Sequence, residues 1–152
     1  MKRWLGGILA LMLCLACCAC SREEASTASL LGEQMARSDC LPQGEIYRSD
    51  AAEGEVGYCS ERLLAKLYGE GAVTHCFPLV EEYAIYLSSF AEPCEIAIFR
   101  CYARSDADRI AEMCLSRIEQ MRILLAGTDF RTRADRATVR VDGKLVMLQM
   151  LP

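Results

Sequence analysis

Glu95-Ile96-Ala97-Ile98-Phe99-Arg100-Cys101-Tyr102 is the stretch that decides the fold of this chain. Strand alternation puts Ile96 and Ile98 on one side and Ala97, Phe99 and Cys101 on the other, so both faces are largely apolar. A strand of that kind lies in the middle of a sheet, covered on at least one face by a helix. Just upstream, within residues 82–89, Tyr83, Ile85 and Leu87 alternate with Ala84, Tyr86 and Ser88, which makes a second strand. Only a short turn around Glu92-Pro93 separates the two, so they pair antiparallel.

Downstream the period changes from two to 3.6. Ile110, Met113, Cys114, Ile118, Met121, Leu124 and Leu125 form one apolar stripe, while Arg109, Glu112, Ser116, Glu119 and Arg122 fill the other sides. Ser105 is placed to cap this long helix, Asp106 and Asp108 suit its positive end, and Gly127 suits its stop. After an arginine-rich loop, residues 137–141 and 144–150 flank Asp142-Gly143, the signal of a type I′ hairpin. Before the first strand, Ser60 caps a short helix with Leu63, Leu64, Leu67 and Tyr68 on one face and Gly69 at its end. The expected fold class is α+β: short helix, β-hairpin, long helix, β-hairpin, an antiparallel sheet with the long helix packed on one face.

Residues 59–152 are therefore expected to form a single domain. Residues 20–58 read as a tether and irregular segment: polar and small up to Arg37, with a weak helical turn around Leu30, Leu31 and Met35. Pro42, Gly44, Gly54 and Gly57 then mark loops, with one extended piece at Ile46-Tyr47. Residues 1–19 have the form of a lipoprotein signal peptide. Lys2-Arg3 precedes an uncharged apolar run from Trp4 to Ala19, short for a bilayer span. The run closes on Leu15-Ala16-Cys17-Cys18-Ala19-Cys20-Ser21. Cys20 is the expected lipidation site, because Ala19 precedes it and the polar chain starts directly after it. Cys18, with Leu15 three residues before it, and Cys17, which follows Ala16, are the alternatives. The expected location is the cell membrane, lipid-anchored on its extracytoplasmic face.

Residues 20–152 contain 15 Lys+Arg and 21 Asp+Glu, and this acidic balance argues against nucleic acid as a partner. The sign is uneven: five basic and fourteen acidic residues lie in 20–99, ten and seven in 100–152. The two halves are expected to attract each other within the fold, with Arg131, Arg133 and Arg136 as the alternative, a receiving patch for an anion. Cys40, Cys59, Cys76, Cys94, Cys101 and Cys114 follow the signal with no CxxC pair, so neither a redox motif nor a zinc knuckle is indicated. Most of them are expected to act as small apolar residues.

No catalytic constellation, cofactor motif or metal-ligand spacing emerges. His75-Cys76 are neighbours in sequence, whereas thiol–imidazole pairs come from separate segments. Glu82 and Glu95 lie on paired strands and are candidates for a facing carboxylate pair. Arg117 is the candidate partner of Glu95, in a structural or functional ion pair at the helix–sheet junction. Tyr83, Tyr86, Phe90, Phe99 and Tyr102 suit sheet packing better than a ligand cleft.

Leu67-Tyr68-Gly69, Glu82-Tyr83, Ser88, the Glu95–Phe99 strand, Arg117 and the Val139–Val146 hairpin around Gly143 together resemble a known family. It is domain-of-unknown-function family 4358, small lipoproteins of Gram-positive bacteria, and the resemblance covers residues 61–150 and the signal. Family members often carry an aromatic and a proline after the long helix; Asp129-Phe130-Arg131 keeps the aromatic and lacks the proline. The resemblance implies an exported, lipid-anchored domain and no particular activity. The resulting expectation is a non-enzymatic binding or accessory domain with a protein or small-molecule partner. The alternatives are a small envelope hydrolase using carboxylates or a cysteine, and a thiol redox or metal-responsive protein.

Overall fold

The computed structural model describes residues 24–152, so the signal segment and the candidate lipidation sites Cys20, Cys18 and Cys17 lie outside the described residues. Ten elements follow in chain order: α1 (Thr27–Arg37), β1 (Gly44–Arg48), α2 (Glu61–Tyr68), α3 (Glu70–His75), β2 (Val80–Ser88), β3 (Glu95–Cys101), α4 (Ala107–Leu124), α5 (Arg131–Asp135), β4 (Thr138–Asp142) and β5 (Leu145–Met150). The strands make one antiparallel sheet in the order β1-β2-β3-β5-β4. The fold is α+β, with the two hairpins and the long helix that the sequence pattern implies.

β3 is the middle strand, and each of its residues is buried. On one face Ala97, Phe99 and Cys101 join Ile85, Val146 and Leu148 beneath α2, α3 and α4. The Phe99 ring meets Tyr68 of α2 edge-on, with centroids 5.7 Å apart. On the other face Ile96 and Ile98, with Ala84 and Tyr86, meet Leu31 of α1. Helices thus cover both sides of the sheet.

The second cover corrects the expectation of a tether up to Arg37, while the extended piece expected at Ile46-Tyr47 is present. Instead of a tether, residues 27–37 form a helix whose N-cap Ser26 accepts a hydrogen bond from the Ser29 N–H. Gly44–Arg48 then pairs with β2 as the edge strand. The apolar pattern of α1 is too sparse to announce a helix in isolation. Burial of Leu31, 1% exposed, against the Ile96/Ile98 face supplies what intrinsic propensity does not.

Three local details also differ. Ser105 lies in a 3-10 turn (Arg104–Asp106), and α4 starts at Ala107 without a side-chain cap. Leu124 is more than half exposed, while Arg117 occupies a place in the buried stripe. In the C-terminal hairpin Asp142 pairs with Leu145, which leaves Gly143-Lys144 as the two-residue loop. Positive φ occurs at Gly143 (60°) and not at Lys144, the pattern of a type II′ turn rather than type I′. Ser60 and Gly69 do bound α2 as expected: the Ser60 hydroxyl accepts from the Leu63 N–H, and Gly69 sits at φ 95°.

Candidate functional site

Arg117 lies three and four residues from Cys114, Met113 and Met121 on α4, so helical periodicity turns it toward the sheet with the apolar stripe. Glu95 opens β3 on the same side as Ala97 and Phe99. The two meet: Arg117 Nε donates to Glu95 Oε2 at 2.9 Å, and the Tyr68 hydroxyl donates to Oε1 at 2.9 Å. Exposure is 0% for Glu95, 7% for Arg117 and 4% for Tyr68. Both carboxylate oxygens are therefore satisfied inside the core, as a buried charge requires. Burial, and then the neighbouring Glu95 charge, push the Tyr68 phenol well above its ordinary value. Tyr68 is the member of this triad that the sequence did not reveal, since its spacing marked it as part of an apolar helix face.

Glu82 does not face Glu95. The register pairs Glu82 with Arg100 and Glu95 with Leu87. The glutamates lie toward opposite ends of the hairpin and on opposite faces of the sheet, so they form no acid–base pair. Glu82 Oε2 is 3.4 Å from Arg100 Nε, and Oε1 accepts the Thr27 N–H at 3.0 Å, which satisfies an orphan donor at the start of α1. The buried Arg100 also reaches Glu24 and the carbonyl of Ala25. Each face of the sheet thus has its own ion pair fixing a helix, Glu95–Arg117 for α4 and Glu82–Arg100 for α1.

The expected attraction between the acidic and basic halves is visible in these contacts. Arg100–Glu24, Arg100–Glu82, Arg117–Glu95 and Arg133–Glu92 all join one half to the other. The arginines proposed as a receiving patch are engaged locally. Arg131 pairs with Asp135, Arg133 donates to Cys94 Sγ and covers the Phe130 ring at 4.7 Å, and Arg136 donates to the Thr132 carbonyl.

Beside the Tyr68–Glu95–Arg117 triad a cleft of about 450 Å³ opens between α2, α4 and the β2–β3 turn. Leu63, Leu67, Leu87, Met121 and Met150 wall it, with Phe90 and Leu124 at its exposed rim. Arg117 contributes to its lining and Lys66 adds a second positive charge. Ser88 also borders it, but its Oγ closes the turn by accepting the Cys94 N–H and donating to the Glu92 carbonyl. Of the aromatics expected to suit packing better than a cleft, Phe90 stands at the rim, whereas the partly buried Tyr83 packs against Phe99 of the core.

His75 is exposed at the end of α3, and among the described residues no hydrogen bond joins it to Cys76. Burial raises the Cys76 thiol above its ordinary value in spite of nearby Arg109, which disfavours the nucleophilic thiolate. Cys59, Cys94, Cys101 and Cys114 are buried free thiols, and burial is the leading cause of the raised value of each. Among the described residues no group of three or more His, Cys, Asp or Glu is placed to hold a metal ion, and no helix is long and apolar enough to cross a membrane. The chain matches no family model, and neither a curated protein nor a solved structure is detectably similar to it.

Proposed function

We propose that this protein is a lipid-anchored binding domain on the extracytoplasmic face of the cell membrane, with the cleft between α2, α4 and the β2–β3 turn as its ligand site. The cleft carries the binding part of this reading. At about 450 Å³ it has the size of a small-molecule site, with apolar walls and few polar groups. The anchor part rests on the signal pattern ending at Cys20 and on the resemblance to the family 4358 lipoproteins, to which we assign the chain as part of the same proposal. A carboxylate hydrolase has less support, because Glu82 and Glu95 are each engaged by an arginine on opposite faces. A thiol-based activity has less support because most of the cysteines are buried.

Two experiments test the two parts. Palmitate labelling of Cys20→Ser, Cys18→Ser and Cys17→Ser variants is expected to lose label with Cys20 alone; label that survives loss of Cys20 excludes it as the site. For the cleft, a photo-crosslinking amino acid at position 124 is expected to give ligand adducts in cells. The same group at exposed position 102, at the far end of β3, is expected to give none. Equal adducts at both positions, or none at 124, would count against the cleft.

A further inference from the structure

Arg117 is over nine-tenths buried as a residue, and Nε is its one hydrogen-bonded nitrogen among the described residues; the two terminal nitrogens make no hydrogen bond there and keep contact with solvent. A planar pair of terminal N–H groups matches a carboxylate, which can take the place of the water these nitrogens meet at the cleft. Those nitrogens belong to a residue that lines the cleft. Resting on the reading of the cleft as a binding site, we infer that it takes a monoanionic amphiphile, an alkyl carboxylate whose head lies on the free end of Arg117.

Charge decides for a monoanion. Glu95 balances Arg117, so the site's surplus is the single charge of Lys66. A dianionic phosphate head would bring its second charge toward the buried Glu95 carboxylate without a further cation to meet it. A cationic head would face both Arg117 and Lys66. The alkyl part follows from the walls: Leu63 and Leu67 on α2 oppose Met121 and Leu124 on α4, with Met150 beneath. Burial of a chain along this surface supplies the affinity, and the arginine end fixes its direction.

Hydrogen exchange of the full chain in phosphatidylcholine nanodiscs tests this, with dodecanoate as probe below its micelle concentration. Dodecan-1-ol and dodecyltrimethylammonium serve as neutral and cationic controls. Dodecanoate is expected to slow exchange in α2 and the last turns of α4, by roughly tenfold at about ten times its Kd if binding suppresses local opening. The two controls are expected to leave these segments unchanged. Leu124→Glu and Lys66→Glu lie at exposed positions, and unchanged protection of β3 verifies their fold. Both are expected to abolish the effect, and Arg117→Lys, which keeps the charge and loses the fork, to weaken it strongly. Equal protection by dodecanol overturns the carboxylate assignment while leaving a binding cleft in place. No protection by any of the three overturns the amphiphile, whereas the crosslinking at position 124 judges the binding reading by itself.

Discussion

Glu95 Oε2 and Arg117 Nε stand 2.9 Å apart between the central strand and the long helix, with Glu95 wholly buried. Removal of one partner leaves a charge in the core without its counterion. Arg117→Met is therefore expected to lower stability by about 3–5 kcal/mol, and the double variant with Glu95→Gln by clearly less than the sum of the singles. Urea unfolding of the four proteins in the cycle measures the coupling. Additive losses would mean that the pair has no special role.

Tyr68 holds the other carboxylate oxygen. Tyr68→Phe keeps the ring against Phe99 and removes only the donor. The expected loss is about 1.5–3 kcal/mol, as for a hydrogen bond to a charged group. Placing the same substitution in the Glu95→Gln background should shrink the effect, which a further unfolding cycle checks.

Leu31 separates the observed α1 from a tether. At 1% exposure against Ala84, Tyr86, Ile96 and Ile98, Leu31→Ala is expected to cost about 2–5 kcal/mol. Substitution in a solvated linker costs nothing, so an unchanged urea midpoint would sink the packing of α1 on the sheet.

Stability is expected to decline on the alkaline side. Cys59 and Cys101 are pushed up to about 11, and Cys114 and Tyr68 well above their ordinary values, by burial first in each case. The folded chain thus holds protons that the unfolded chain gives up. This stabilisation is complete below the unfolded thiol value of 9.0 and is lost as pH rises through the folded values. Urea midpoints should fall steadily from about pH 9 to 11; a flat profile there contradicts the buried, protonated thiols.

Alkylation maps the same thiols at neutral pH. Cys40 is exposed, Cys76 is partly covered, and Cys59, Cys94, Cys101 and Cys114 are buried. Brief iodoacetamide treatment followed by peptide mapping should modify Cys40 first, Cys76 slowly, and the other four only after unfolding. Rapid native labelling of Cys114 would be inconsistent with its place on the buried face of α4.

The strands and the long helix were legible because their periods are clean: two in residues 80–101 and 3.6 in residues 107–125. Glu95 and Arg117 were legible because a charge inside an apolar pattern needs a partner. α1 was not, although its signature lay in a different place. The two apolar faces of β3 demanded two covers, and the long helix could supply only one. That demand was written in Ile96 and Ile98 rather than in residues 27–37 themselves. The error over Glu82 has the same origin: pairing on adjacent strands says nothing about register, and the register set Arg100 opposite it. The cleft left no local signal, because its walls come from α2, α4, β2 and β5 and each of those residues reads alone as ordinary core.

Glu24 and Ala25 grip Arg100, toward the opposite end of β3 from the cleft and on the opposite face. With lipid on Cys20, four residue steps separate the anchor from that grip, a reach of at most about 14 Å. On the proposed anchoring, the domain would be moored close to the bilayer by a short line tied to one corner. Its cleft opens at the far corner, about 17 Å further along the strand. On that anchoring, the length of the line and of the strand together would set how far from the bilayer a ligand is met.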